Sequence, residues 1–312
     1  MYMEDSRGMT RLLITGASGL LGGALLHRGL NTADILACTH DTRLHPQGFD
    51  TRNIDLAVEF HAKDLVAGFK PDWICHCAAL TDVDLCQRQP KSAHRLNVAA
   101  SGALARAAAD YGAQFLLIST DSVFDGSRGR YVETDATGPL NEYAASKLEA
   151  ERRVRGFLPE VLIARVNFYG WNLKPKRSLA EWVLAQLEAG VSVPGWTDVY
   201  FTPLFNMDLA DCLNAMMARG LSGTYHVAGS ERCSKYEFAR AVAAEWGHDP
   251  EAIRPTEMAT AGLGAPRPLD TSLRCDKLYR ELGHVLPDLR TGLRRMRNFV
   301  ESDLSAFRSL LG

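Results

Sequence analysis

The stretch Leu12-Leu-Ile-Thr-Gly16-Ala-Ser-Gly19-Leu-Leu-Gly22 decides the fold. A short apolar run ends in glycines, and a helix-forming stretch from Leu20 to Leu30 follows, so a strand turns at once into a helix. The glycines have separate tasks. Gly16 permits the tight turn, Gly19 lets a phosphate approach the backbone, and Gly22 lets the helix pack on the strand. The first amides of that helix are left without intrahelical partners and point toward whatever anion sits there.

Outward from this turn the pattern repeats. Ile35-Leu-Ala-Cys38, Trp73 to Cys77, Phe115-Leu-Leu-Ile-Ser119 and Val161-Leu-Ile-Ala164 read as further buried strands. Ser92 to Tyr111 and Glu142 to Arg155 read as helices between them. Such alternation builds βαβ units and a parallel sheet. After Tyr169 the pattern breaks at Lys174-Pro-Lys-Arg177, Val193-Pro-Gly-Trp196 and Ala265-Pro-Arg-Pro268, while Gly223-Thr-Tyr-His-Val-Ala-Gly229 reads as one more strand. The expected architecture is α/β: a Rossmann-type doubly wound parallel sheet with a smaller C-terminal substrate-binding lobe. Residues 1–169 form the dinucleotide-binding domain with 203–230 returning to it, and 170–202 and 231–312 form the lobe.

The 312 residues are 46% hydrophobic and 23% charged, as in ordinary globular proteins. A net charge of −2 gives no footprint for nucleic acid and leaves a small molecule as the expected partner. Met1 to Thr10 is polar and lacks the apolar centre of an export signal, and no long apolar run suggests a membrane span. Seven cysteines without framework spacing suit reduced thiols, so a cytoplasmic location is expected. Cys75-His76-Cys77 lies on a strand, where alternate residues face opposite ways, so no metal site is expected there.

The end of the second strand selects the form of nicotinamide dinucleotide. An acid there would hold the ribose hydroxyls of NAD, and a cation would accept the extra phosphate of NADP. Here Thr39 and His40 take the place of the acid, Asp41 falls one step late and Arg43 is within reach. NADP(H) is therefore the expected cofactor, with NAD(H) the alternative. Lys174, Lys176 and Arg177 could meet a diphosphate, but a basic cluster beside Pro175 reads first as a solvated loop.

Tyr143 and Lys147 are spaced four apart on an expected helix, on one face and a turn apart. An adjacent ammonium favours the ionised phenol and lowers its pKa. Lys147 can also bond the nicotinamide ribose. A hydroxyl at the C-terminal end of a strand is needed to polarise a carbonyl, and Thr120 has that place. Ser119 competes, but strand alternation points only one of the two at a substrate.

With these residues in view, the chain resembles the dTDP-4-dehydrorhamnose reductase family of extended short-chain dehydrogenases/reductases. The resemblance rests on Ser119-Thr-Asp-Ser-Val-Phe-Asp-Gly126, Pro139-Leu-Asn-Glu-Tyr-Ala-Ala-Ser-Lys147, Cys77-Ala-Ala-Leu-Thr-Asp-Val-Asp84, Asn97 and Arg267-Pro-Leu-Asp-Thr-Ser-Leu273. It implies NADPH-dependent reduction of the 4-keto group of a nucleotide-linked deoxysugar, with Thr120, Tyr143 and Lys147 catalytic. It implies that Gly16, Ser18, Gly19, Leu20, Leu21, Gly22, His40, Arg43, Asp55, Leu56, Ala78, Ala79 and Asn97 hold the dinucleotide together with Tyr143 and Lys147. Thr81, Asp82, Ser122, Asn167 and Arg267 are the implied substrate contacts, and a homodimer is the expected assembly. One departure from the family pattern matters: Ser122 stands in place of a tyrosine of the substrate pocket, which puts the identity of the sugar in question.

Two other readings share these features. A nucleotide-sugar epimerase uses the same trio, because fold alone does not fix the reaction. The chain also resembles the regulatory β subunit of methionine adenosyltransferase, through Gly19-Leu-Leu-Gly22 and Leu263-Gly-Ala-Pro-Arg-Pro268, which implies a non-catalytic NADP-binding subunit.

Overall fold

The computed structural model describes residues 9–30 and 32–311. Met1–Gly8, most of the stretch read above as lacking an export signal, lies outside them. Strands β1 (Thr10–Thr15), β2 (Ala33–Thr39), β3 (Asp50–Asn53), β4 (Trp73–His76), β5 (Gln114–Thr120) and β6 (Leu162–Val166) alternate with helices α1 (Leu20–Gly29), α2 (Glu59–Phe69), α3 (Val83–Arg88), α4 (Pro90–Ala93), α5 (Ala100–Tyr111) and α6 (Glu142–Phe157). Four short or irregular strands follow the sixth: β7 (Phe168–Tyr169), β8 (Val193–Trp196), β9 (Tyr200–Phe201) and β10 (Leu204–Phe205). Helices α7 (Leu179–Glu188) and α8 (Asn206–Ala218) lie among and after them, and β11 (Gly223–Val227) returns to the main sheet.

That sheet has seven strands in the order β11-β6-β5-β4-β1-β2-β3, and every pair in it is parallel. It is the Rossmann-type doubly wound sheet, and the order reverses between β1 and β4. The crevice for a ligand in such sheets opens beyond the strand C-termini at that reversal. Alternation along the strands feeds two apolar layers. Leu12, Ile14, Leu116 and Ile118 pack into one layer with Leu25 of α1 and Leu213 of α8. Leu13, Phe115 and Leu117 pack into the other with Leu65, Leu104 and Val154 of α2, α5 and α6. Both faces are covered, so these strands read as unbroken apolar runs.

The expected helix from Ser92 to Tyr111 is not one regular piece. It runs through α4, a π-helical turn at His94–Ala99, and then α5. Such turns insert a residue into an α-helix and often mark functional sites. The remaining small sheets pair β7 with β10, β9 with β12 (Cys233–Ser234), and β8 with β13 (Ile253–Thr256). His76, on β4, is bonded by Nδ1 to the Thr15 hydroxyl (2.7 Å) and by Nε2 to the Ser101 hydroxyl (2.9 Å), which fixes its ring between β1 and α5. All seven cysteines are free thiols. Among the described residues no helix is long and apolar enough to cross a membrane.

Candidate active site

At the C-terminal ends of the main sheet lies a cleft of about 820 Å³. Its floor is the glycine turn. Gly16 has φ +66°, and a Cβ there would stand 2.7 Å from the Ala78 amide nitrogen, so β1 and the segment after β4 approach as closely as backbone allows. A Cβ on Gly22 would run into the Gly16 carbonyl, which makes that position one of helix-on-turn packing, as the spacing predicts. Gly19 is the N-cap of α1, with no side-chain cap and no acid in the first turn. Its carbonyl takes the Gly23 amide (2.8 Å), and the amides of Leu20, Leu21 and Gly22 precede the first intrahelical bond. Uncapped amides, a positive helix end and a cleft the size of a cofactor site fit the phosphates of a dinucleotide.

Another wall of the cleft is formed by the start of α6 and the end of β5. Asn141 caps α6 by accepting the Ala144 amide (2.9 Å), and its Nδ2 donates to the Pro266 carbonyl, which anchors the helix start that carries Tyr143. Tyr143 and Lys147 both line the cleft. Thr120 ends β5 and lines the same cleft, its hydroxyl donating to Asp121 Oδ1 (3.1 Å). The adjacent Ser119 turns the other way and donates to Glu151 Oε1 (2.6 Å), so strand alternation separates the two hydroxyls as expected. Glu151, fully buried, holds Arg165 of β6 through two bonds of 2.9 and 2.8 Å, a bidentate ion pair directly behind the wall.

The electrostatics differ from the sequence expectation at one point. Burial pushes the Tyr143 phenol above its ordinary value, contact with the Thr120 hydroxyl draws it partly back, and the Asp121 carboxylate pushes it up again. Lys147, only 3% exposed, is brought down to about 8 by burial, against the opposing pull of Glu151 and Cys77. Desolvation of the phenol therefore sets the direction of its shift. Tyr143 is a neutral hydroxyl with its proton in place.

Of the residues expected at the site, Gly16, Ser18, Gly19, Leu20, Leu21, Gly22, His40, Asp55, Leu56, Ala78, Ala79, Thr81, Thr120, Ser122, Tyr143, Lys147 and Asn167 line this one cleft. Four do not. Arg43 is exposed beyond the loop that Thr39 closes on the Thr42 carbonyl (2.6 Å). Asn97 is buried in the π-helical turn and spends its amide on Leu80 N (2.7 Å), Leu80 O (3.1 Å) and the Ser146 hydroxyl (2.9 Å), bracing the cleft wall from behind. Asp82 caps α3 by accepting the Leu85 amide (2.8 Å). Arg267 pairs with Asp84 (3.0 Å) and with the Ala265 carbonyl, tying the C-terminal segment to α3.

The sequence reading missed other residues. Lys174, Lys176 and Arg177 line the cleft together with Asn172 and Ser178, and Lys176 and Arg177 are also exposed, as a solvated loop predicts. Asp121 lines it too, and its carboxylate gathers Thr120 (3.1 Å), Ser122 (3.3 Å), Asn167 (2.6 Å) and Thr271 (2.6 Å). A carboxylate directly after the strand-end threonine, in a run rich in hydroxyls, was the available signal for Asp121. For the cationic loop the only signal was its composition.

The sequence pattern of the RmlD substrate binding domain family matches residues 9–301. The chain is 32% identical over 291 residues to the Haloferax volcanii protein named "Probable low-salt glycan biosynthesis reductase Agl14", covering 90% of this chain and 95% of that one. It is 34% identical over 295 residues to the methionine adenosyltransferase 2 subunit beta of Xenopus tropicalis, covering 91% and 86%. The crystal structure of dTDP-4-dehydrorhamnose reductase from Bacillus anthracis in complex with NADP superposes with a TM-score of 0.83 at 27% identity, over 95% of this chain and 100% of that one. The chain belongs to the RmlD substrate binding domain family, and its fold is that of short-chain dehydrogenase-type reductases.

Proposed function

We propose that the protein reduces the 4-keto group of a nucleotide-linked deoxysugar with NADPH. The observation that carries this reading is the convergence of Thr120, Tyr143 and Lys147 with the uncapped glycine turn on one cleft. When bound, the nicotinamide supplies the hydride. The amides of Leu20, Leu21 and Gly22 would hold the pyrophosphate, and Asp55 and Leu56 would border the adenine end. Lys147 would donate to the ribose hydroxyls of the nicotinamide half. Tyr143 carries its proton and delivers it to the carbonyl oxygen as that oxygen gains charge, while the Thr120 hydroxyl donates to the same atom. Asp121 holds Asn167 and Ser122 at the mouth, where the sugar would enter.

Residues 1–169 with 203–230 serve as the dinucleotide domain in this reading, and the remainder as the substrate lobe. The names of the Haloferax and Bacillus proteins, a glycan biosynthesis reductase and a dTDP-4-dehydrorhamnose reductase, support a sugar reductase. Ser122, in place of the family's tyrosine, marks where the sugar differs. A regulatory role is the second reading, favoured by the 34% identity to the methionine adenosyltransferase 2 subunit beta. Purified protein should oxidise NADPH in the presence of a dTDP-4-keto-6-deoxyhexose. Dinucleotide binding without turnover on any of a panel of 4-keto sugars would overturn the reductase in favour of the regulator.

A further inference from the structure

The loop joining β7 to α7 carries Lys174, Lys176 and Arg177 along the cleft, the last two exposed, and Lys174 reaches the end where β2 terminates. It is a shaped loop. The Asn172 amide donates to the Lys176 carbonyl (2.6 Å), the Lys174 amide donates to Asn172 Oδ1 (3.3 Å), and the Ser178 hydroxyl donates to the Gly170 carbonyl (2.6 Å). Ser178 also closes a capping box with Glu181, which fixes where the loop enters α7. Across the cleft the Lys174 ammonium meets Asp41, just past β2, at 3.3 Å.

The loop thus brings three cations to the cleft, and the two carboxylates that follow β2 and β3 there are engaged: Asp41 by Lys174, and Asp55 by the Ala57 amide (2.9 Å). No acid stands at Thr39 or His40 to accept ribose hydroxyls, and Arg43, which could have read a phosphate from the β2 side, is exposed beyond the cleft. The pyrophosphate end of the cleft is elsewhere, at the first turn of α1. What a cationic rim at the β2 end can recognise is a phosphate monoester on the adenosine ribose, which carries a charge of about −1.5 to −2.

We propose that Lys174, Lys176 and Arg177 form a cationic strap that reads the 2′-phosphate of NADP(H) from the substrate-lobe side, with Asp41 as the acid that Lys174 keeps from the ribose. The inference rests on the reading of the cleft as a nicotinamide dinucleotide site. It relocates NADP recognition from Arg43 to a loop more than 130 residues further along the chain.

Calorimetric titration with NADP⁺, NAD⁺, 2′,5′-ADP and 5′-AMP tests it without any turnover. The unaltered chain should prefer NADP⁺ to NAD⁺ and 2′,5′-ADP to 5′-AMP. The Lys176→Ala/Arg177→Ala double variant should lose about 10- to 100-fold in affinity for both 2′-phosphorylated ligands, the scale expected of two charge-assisted contacts at a partly exposed site. Its affinity for NAD⁺ should stay the same, which also reports that the cleft is intact. Asp41→Asn should leave the preference for 2′,5′-ADP in place or raise it. An equal loss for NADP⁺ and NAD⁺ would make the strap a pyrophosphate clamp and overturn the inference while leaving the dinucleotide reading standing. An unchanged 2′,5′-ADP affinity would overturn it as well. Failure of the unaltered chain to bind either dinucleotide would overturn both.

Discussion

Two regions of the cleft are built on opposite principles. The wall proposed as catalytic hangs on regular elements: Thr120 ends β5, Tyr143 and Lys147 share a face of α6, and behind them Glu151 and Arg165, both buried, lock helix to strand. The cationic strap is a loop whose one ion pair, Lys174 with Asp41, joins side chains 35% and 73% exposed. The wall is held in place by burial and the strap by local hydrogen bonds. The proposed function puts chemistry that tolerates little displacement on the first, and the proposed recognition of a charge, which tolerates more, on the second.

The largest effect that would sharpen this contrast is on the wall. Tyr143→Phe removes the proposed proton donor along with its contact to Thr120, and should cut kcat by about 10²- to 10⁴-fold while NADP⁺ affinity measured by calorimetry changes little. A variant that kept half its rate would place the acid elsewhere. Next is the support behind the wall. Glu151→Gln leaves Arg165 buried without its counter-charge and should cost about 3–5 kcal/mol in denaturant unfolding, as breaking buried pairs does. A loss under about 1 kcal/mol would mean that the wall is not braced as described.

A smaller effect follows from pH. Burial brings Lys147 down to about 8, while Tyr143 is pushed upward and keeps its proton. The cationic form of Lys147 is thus lost as pH rises through about 8, so kcat/KM for reduction, which reports the free enzyme, should fall about tenfold per pH unit above that point. Lys147→Arg, always charged, should abolish this descending limb whatever its absolute rate. Smallest of all, Lys174→Met breaks only an exposed pair and should shift unfolding stability by no more than about 0.5 kcal/mol. A cost as large as that of Glu151→Gln would erase the distinction between the two regions.

The same contrast explains what could be read in the sequence. β1, β4, β5 and β6 announce themselves as apolar runs because both their faces are buried, and Tyr143 with Lys147 is visible because helical spacing alone puts them on one face. β3, Asp50–Asn53, has no apolar residue and is exposed throughout. Only its backbone pairing with β2 makes it a strand. The interruption at His94–Ala99 is hidden as well, since its residues form helix on either side. Asn97 and Arg267 are recognisable by resemblance, yet the roles they play here, bracing Leu80 and tying down Asp84, depend on partners 17 and 183 positions away. Lys174, Lys176 and Arg177 were legible as a charge cluster. That the cluster faces β2 is a tertiary fact, since Lys174 and Asp41 are separated by 133 positions.

The account stands or falls on hydride delivery at the wall. NADPH deuterated at nicotinamide C4, incubated with the protein and a dTDP-4-keto-6-deoxyhexose, should yield a sugar carrying deuterium at C4 by mass spectrometry, and the Tyr143→Phe variant should yield almost none. An unaltered protein that binds the cofactor yet leaves the sugar unlabelled, or two proteins that label it equally, would contradict it.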